Sequence, residues 1–351
     1  MRGGERVLEA LCDLYPDADI YTHVYDFSAV SQKIRSHRVI CTFIQNLPNS
    51  RRWYQRYLPL MPLALEQLDM SAYDLVISSE AGPAKGIIVR PDAVHLCYCH
   101  SPMRYIWDQY SGYLDGKDLL TRTAMKAAFH YLRMWDVTSA ARVDGFIANS
   151  AFTAARIRKY WRREAEVLHP PVDIERFQPS AQDEGYYLAL GQLVAYKRPD
   201  IAVRAFTQSG RRLVVAGRGE ELERLKCLAG PSVEFVEAPD DETVIGLLSG
   251  CRALVFPGVE DFGIVIVEAM ASGKPVIAYR RGGAAETVLE RQTGLFFDVQ
   301  SPAALNAAVE AFEIDHSWVV PEMIRNHARR FSAEAFNEEF DRIVAAAVRS
   351  G

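Results

Sequence analysis

The sequence has no apolar run approaching the ~20 residues that a membrane-crossing helix needs, which excludes a chain built of spanning helices. Its opening, "MRGGERVLEA", has no apolar stretch of the kind a secretory leader carries. The six cysteines form no CxxC pair, and Cys97 and Cys99 alternate along an expected strand. That usage points to reduced core thiols in a cytosolic protein rather than to disulfides or zinc. No strand is followed by GxGxxG and a later acidic residue, which argues against a nicotinamide-dependent oxidoreductase. No metal-ligand cluster with DxD spacing flanks any of the strands read below, and "PDDE" (239–242) is the nearest candidate, so no metal is expected. A large basic excess is also missing. The net charge is −5, with 21 Lys/Arg against 20 Asp/Glu through residue 175 and 19 against 25 beyond it. Nucleic acid is therefore not an expected partner.

What is present is a regular alternation of short β-branched runs and helical patterns. "YDLVISS" (73–79), "AVHLCYCH" (93–100) and "VDGFIANS" (143–150) read as strands in the first half. "YYLALG" (186–191), "RLVVAG" (212–217), "VEFVE" (233–237), "ALVFPG" (253–258) and "PVIAY" (275–279) follow in the second. Near-continuous apolar strands separated by helices imply parallel sheets covered on both faces. At 351 residues two domains are expected. The Pro-rich polar stretch 171–185 reads as a linker between residues 1–170 and 186–331. In 332–351, Phe336, Phe340, Ile343 and Ala347 form a helical stripe that can pack back on the first domain, with Ser332 as N-cap. The architecture is α/β, two doubly wound Rossmann-like domains facing across a cleft. The first strand of the first domain is expected to be missing, because "RGGERVLEAL", a Gly-Gly turn before an amphipathic helix, has no strand ahead of it: either the domain has lost that strand or the start is shortened relative to the working protein.

The stretch "VFPGVEDFGIVIVEAMASGKPVIAY" (255–279) carries the chemistry. A strand ends at Phe256, and the turn after it lies at the carboxyl end of a parallel strand, where open α/β sheets bind ligands. Gly263 allows backbone amides to approach a ligand, and the helix start behind it suits an anion such as a diphosphate. Glu268 lies about two turns beyond Glu260, and two carboxylates bordering a cleft accept hydrogen bonds from sugar and ribose hydroxyls. A structural reading is also open here: Glu260 capping the helix, and Glu268 meeting a buried lysine or arginine.

The same stretch resembles the E-x7-E signature of retaining GT-B glycosyltransferases of family 4 (group 1). The likeness extends to "AMASGKPVIAYRRGGAAETV", "RGGERVLEAL", "CYCHSPMRYIWD" and "GQLVAYKRPDIAVRAF". It is strongest to bacterial mannosyltransferases that build O-antigen or exopolysaccharide units. The resemblance implies a retaining, metal- and cofactor-free transfer of a hexose, with His100, Glu260 and Lys197 at the reacting centre. Lys197 would neutralise the departing diphosphate, Glu260 would hold sugar hydroxyls, and Glu268 would take the ribose. Gly3, Gly4, Gln192, Arg198, Gly217, Asp261, Phe262, Gly263 and Ile264 would complete the donor site. Gln192 stands where the family often has an arginine, so Arg198 is expected to compensate, or Lys197 to work with the helix dipole alone. "PDDE" would be a surface loop near the base.

The donor implied is GDP-mannose, with a UDP-hexose as the alternative; a nucleotide-sugar-binding protein without turnover is the rival class. The acceptor implied is polyprenyl-diphosphate-linked or an oligosaccharide. Arg104 and Trp107 would shape its side, and "RRWYQRYLPLMPLALEQL" (51–68) mixes Arg51, Arg52 and Arg56 with Trp53 and other aromatics. That mixture suits an anionic lipid face, and an ordinary solvated helix anchored by its aromatics would read the same way. Pro59 and Pro62 predict a short helix followed by a loop. A cytoplasmic protein touching the inner membrane peripherally is the expected setting.

Overall fold

The computed structural model describes residues 3–350, which fall into two compact units. The boundaries lie at Pro170/Pro171 and Ala335/Phe336, so the C-terminal residues from Phe336 belong with the first unit.

The second unit contains β7 (Tyr187–Gln192), β8 (Leu213–Arg218), β9 (Val233–Glu237), β10 (Ala253–Phe256), β11 (Val276–Tyr279) and β12 (Gly294–Phe297), all parallel. Their order, β9-β8-β7-β10-β11-β12, is the doubly wound 3-2-1-4-5-6 arrangement. Side chains alternate between two cores as a strand period of two requires. Leu188, Val214, Leu254 and Val276 enter one layer with Ile266 and Met270. Tyr187, Val215, Val255 and Ile277 enter the other with Phe206 and Val309. Burial on both faces explains why these strands read as unbroken apolar runs. The expected linker is not free of the core: Val172, Ile174 and Phe177 are buried in the first of these layers. An apolar residue every two or three positions was the signal that its prolines masked.

The first unit precedes it in the chain. Here β3 (Leu75–Glu80), β4 (Val94–Cys99), β5 (Gly145–Ala148) and β6 (Glu166–Val167) form one parallel sheet, and β1 (Ile20–Thr22) and β2 (Val39–Cys41) a separate parallel pair. Sequence reading missed β1, β2, β6 and β12, all two to four residues long. Gly3 and Gly4 are the first residues of the helix Gly3–Leu14 rather than a turn, and no described strand precedes them. The Tyr21 and Tyr73 hydroxyls, 2.9 Å apart, link β1 to the segment just before β3. Val94, Leu96 and Tyr98 pack against Val7 and Leu11 of the first helix and Phe336 and Phe340 of the last. Cys97 and Cys99 are buried on the opposite face.

His95 on β4 is fully buried, 2.9 Å from the Ser78 hydroxyl, and burial pushes its imidazole down to about 4. The unfolded chain takes up this proton below its ordinary value of 6.5, and the fold does not until about 4. The associated stability is thus complete above 6.5 and is lost as pH falls toward 4, by roughly 3 kcal/mol. Urea unfolding of His95→Gln is expected to show a correspondingly shallower fall over this window than the parent.

Candidate active site

The strand order of the second unit reverses direction between β7 and β10, and the loops after these two strands form the site. Residues 189–193, Lys197 and Pro199 from one side and 255–258 with Glu260 from the other line a common crevice. Lys197 Nζ lies 2.9 Å from Glu260 Oε1, an ion pair spanning the switch point between side chains about 20% exposed. Gly258 packs directly on the Lys197 backbone, where a Cβ would come within 2.7 Å of its carbonyl oxygen. Gly217, at φ +148°, lets β8 close on β7, since a Cβ there would reach 1.9 Å from the Gly191 oxygen.

Behind the crevice, Gly263 at φ +89° opens the helix Ile264–Ala271. This left-handed residue, and not Glu260, is the N-cap of the helix, so the capping alternative for Glu260 does not hold. The Glu260 carbonyl instead accepts the Gly283 amide at 2.9 Å. Phe262 is buried with its ring edge-on to Phe331 at 5.6 Å, which anchors the turn, while Asp261 and Ile264 are half-buried. Glu268 is half-buried on the same helix. The start of that helix is a positive dipole end, favourable to an anion, although the Ile266 amide already donates to the Gly263 carbonyl at 2.9 Å. Arg198 is not brought to the crevice: it pairs with Asp200 at 3.0 and 3.2 Å and sits at φ +54° before the helix Pro199–Ser209. The tight Lys-Arg-Pro-Asp turn into that helix dictates this, leaving the exposed Gln192 uncompensated by a second cation from that position. Asp240 of "PDDE" caps the helix Asp241–Gly250 through the Thr243 amide.

In the first unit, His100 follows β4. Its Nε2 lies 2.8 Å from the Ser79 hydroxyl on β3, and its ring is edge-on to Tyr98 at 5.1 Å. Gly4 is brought to it: a Cβ on Gly4 would sit 3.5 Å from Nε2. Ser79 is a site residue that sequence reading missed, because nothing marks one serine of "VISSE" until β3 and β4 are paired in register, Ser79 beside Tyr98.

Trp107 does not shape an open face. Its indole donates to Asp136 at 2.8 Å and stacks on Tyr160 at 4.7 Å. Asp136 belongs to a fully buried cluster in which Lys85 contacts Glu80 Oε1 at 2.9 Å and also bonds Asp136, which receives the Trp161 indole at 2.7 Å. Burial pushes Glu80 up to about 7. Burial alone would lower the Lys85 amine, but Glu80 and Asp136 hold it above its ordinary value. Arg104, half-buried, accepts the Trp107 and Gln109 amides on its carbonyl. Residues 50–66 form a helix (Ser50–Trp53), a 3-10 stretch (Tyr54–Leu60) and a helix (Met61–Glu66), more regular than the helix and loop expected, with Pro62 accommodated in the first turn of the second helix. Arg56 lies over the Trp53 ring at 4.7 Å, Arg51 lies 3.9 Å from Asp26, and Arg52 is exposed.

Among the described residues no group of three or more His, Cys, Asp or Glu side chains is placed to hold a metal ion, and no helix is long and apolar enough to cross a membrane.

Two parallel α/β units, the second doubly wound with a lysine, a carboxylate and a helix start at its switch point, define a GT-B glycosyltransferase. The chain belongs to glycosyltransferase family 4: residues 1–176 match Glycosyltransferase Family 4 and residues 172–337 match Glycosyl transferases group 1. It is 26% identical over 393 residues to the α-1,3/1,6-mannosyltransferase ALG2 of Mus musculus, covering 96% of this chain and 91% of that one. It is 30% identical over 192 residues to the GDP-mannose-dependent α-(1-6)-phosphatidylinositol monomannoside mannosyltransferase of Mycolicibacterium smegmatis, covering 46% and 50%. Among solved structures, sucrose-phosphate synthase from Thermosynechococcus elongatus shares the fold with a TM-score of 0.75 at 21% identity, over 99% of this chain and 92% of that one.

Proposed function

We propose that this glycosyltransferase moves mannose from GDP-mannose, with retention and without a metal, to a lipid-linked or oligosaccharide acceptor in cell-surface polysaccharide synthesis. The observation that carries the reading is the Lys197–Glu260 pair astride the switch point, with a helix start behind it. A departing nucleoside diphosphate gathers negative charge as the glycosidic bond breaks, and a positioned ammonium stabilises that charge without a metal. Glu260 accepts hydrogen bonds from sugar hydroxyls and Glu268 from the ribose, while Gln192 contributes a neutral donor. Retention follows from attack on the face the diphosphate leaves, its oxygen taking the acceptor proton. His100, oriented by Ser79, serves the same reaction. The mannosyltransferase relatives, one of them named as GDP-mannose-dependent, support the choice of sugar and base. A lipid-linked acceptor places the protein at the cytoplasmic face of the inner membrane, held peripherally.

Thermal unfolding with a panel of nucleotides and nucleotide sugars tests this. A ligand at 100 times its Kd adds about 2.7 kcal/mol. GDP and GDP-mannose are expected to stabilise the parent, and Glu268→Ala to lose the effect. Stabilisation by UDP compounds instead would keep the site and replace the donor by a UDP-hexose. Stabilisation without turnover on any acceptor extract would leave a nucleotide-sugar-binding protein.

A further inference from the structure

The crevice of the second unit leaves one charge without a counterpart. Gln192 lines it at the end of β7, exposed and neutral, and Arg198 is held by Asp200. A nucleoside diphosphate carries more negative charge than one lysine balances, and Lys197 is itself paired with Glu260.

The strand beside Gln192 holds an arginine at the same level. β7 and β8 pair in parallel with Gln192 opposite Arg218, the last residue of β8, and the Arg218 carbonyl accepts the Leu193 amide at 2.9 Å. Glycines on both sides bring the two loops together. A Cβ on Gly217 would reach 1.9 Å from the Gly191 oxygen, and one on Gly219 would reach 2.2 Å from the Leu193 oxygen. The Glu221 amide also donates to the Leu193 carbonyl, at 3.1 Å. Arg218 is thereby fixed on the outer side of β7, away from β10, with its side chain exposed. Neighbouring strands lie about 4.8 Å apart, and in-register partners face the same side of the sheet. An arginine carries its guanidinium further than that spacing from its own Cα.

The charge of Arg218 is not quenched by its neighbours. Among the described residues no carboxylate pairs with it: Glu221, three positions on, accepts from Arg224 at 2.7 Å, and Glu237, beside Gly217 on β9, pairs with Lys226 at 2.6 Å. Glu220 is exposed.

We propose that Arg218 is the second cation of the donor site: it binds the diphosphate from β8 in place of the charge that Gln192 lacks, and so sets the preference for nucleoside diphosphates over less charged nucleotides. A guanidinium suits this because its planar fork meets phosphate oxygens in pairs. The Lys197–Glu260 pair bridges β7 and β10, whereas Arg218 stands on the other side of β7. Arg218 therefore acts on charge already present when the donor binds, and Lys197 on charge that develops as the bond breaks. The inference deepens the donor-site reading above and rests on it.

The test is isothermal calorimetry of the full chain with GDP and with UDP, each beside its monophosphate. Arg218→Ala is expected to weaken whichever diphosphate binds the parent roughly tenfold, as the loss of one charged hydrogen-bonding partner does, and to change the monophosphate less. Arg218→Lys should keep part of the affinity. Gln192→Arg combined with Arg218→Ala moves the charge across one strand and should return the affinity to within about threefold of the parent, a coupling that a residue merely supporting the strand end does not show. Arg218 is exposed, so the fold should be kept, and the urea midpoint of each variant checks this. Unchanged diphosphate affinity in Arg218→Ala overturns the proposal and leaves the donor site standing. Failure of Gln192→Arg to restore a lost affinity overturns it as well, because the loss then comes from the strand end and not from the charge. If neither GDP nor UDP binds the parent, the transferase reading and this inference fall together.

Discussion

Lys197→Ala is expected to lower kcat by about 10²–10³-fold, with a smaller change in the affinity for donor. The reason is where charge develops. In the proposed donor complex the diphosphate is already anionic in the ground state and would be partly served by the start of the Ile264–Ala271 helix. In the transition state the bridging oxygen acquires further charge, and Lys197 is the cation that the crevice lining supplies there. Glu260, 2.9 Å away, holds the ammonium in place before donor arrives. Lys197→Arg should recover only part of the rate, because the longer planar guanidinium meets Glu260 and the phosphate with a different geometry. Steady-state kinetics with separate kcat and KM decide the matter. A pure KM effect would move Lys197 from the reacting centre to ground-state binding.

The other large effect concerns stability. Lys85→Ala is expected to destabilise the first unit by about 3–5 kcal/mol, read from the urea midpoint, because Glu80 and Asp136 are left buried without their cation. Proton uptake by Glu80, already raised to about 7, relieves part of that cost. The variant should therefore be least damaged at low pH and worst above 7. Its folded carboxyl lies above the ordinary 4.5, so the folded state binds more protons and stability falls as pH rises through that window. Replacing all three together, Glu80→Gln, Lys85→Met and Asp136→Asn, should restore most of the loss, since it removes the uncompensated charge. The cluster also bears on the site. Glu80 follows Ser79 on β3, and its carbonyl accepts the His100 amide at 2.7 Å. A shifted β3 end therefore moves both groups that orient His100.

Much of this was legible before any coordinates. Strands buried on both faces announce themselves as apolar runs, so β7–β11 were readable to within a residue or two, apart from the Pro-Gly that ends β10 early. Short strands were not. β1, β2, β6 and β12 hold too few residues for an alternation to emerge, and Gly294 at the start of β12 reads as a turn. The glycosyltransferase family was readable because several motifs recur in one order, and the matches over residues 1–176 and 172–337 agree.

The partnerships were decided elsewhere. Local sequence made Arg198 look like a phosphate ligand, and Asp200, two residues on, captured it. Trp107 in "RYIWDQY" was expected to shape the acceptor side, and Asp136 and Tyr160, distant in the chain, took both its indole hydrogen and its ring face. Nothing in the sequence pattern singled out Asp136 in "RMWDVTS" or Lys85 in "GPAKGIIV", and only the fold showed that they neutralise one another.

The sequence by itself determined the α/β class, the two-unit plan and the glycosyltransferase family, because periodicity and motif order are properties of a string. The tertiary structure decided which charges meet. Lys197 reaches Glu260 only because β7 and β10 lie side by side at the point where the winding reverses. Electrostatic partners are set by separations of a few ångströms between side chains, and spacing along the chain does not encode them when long crossovers lie between.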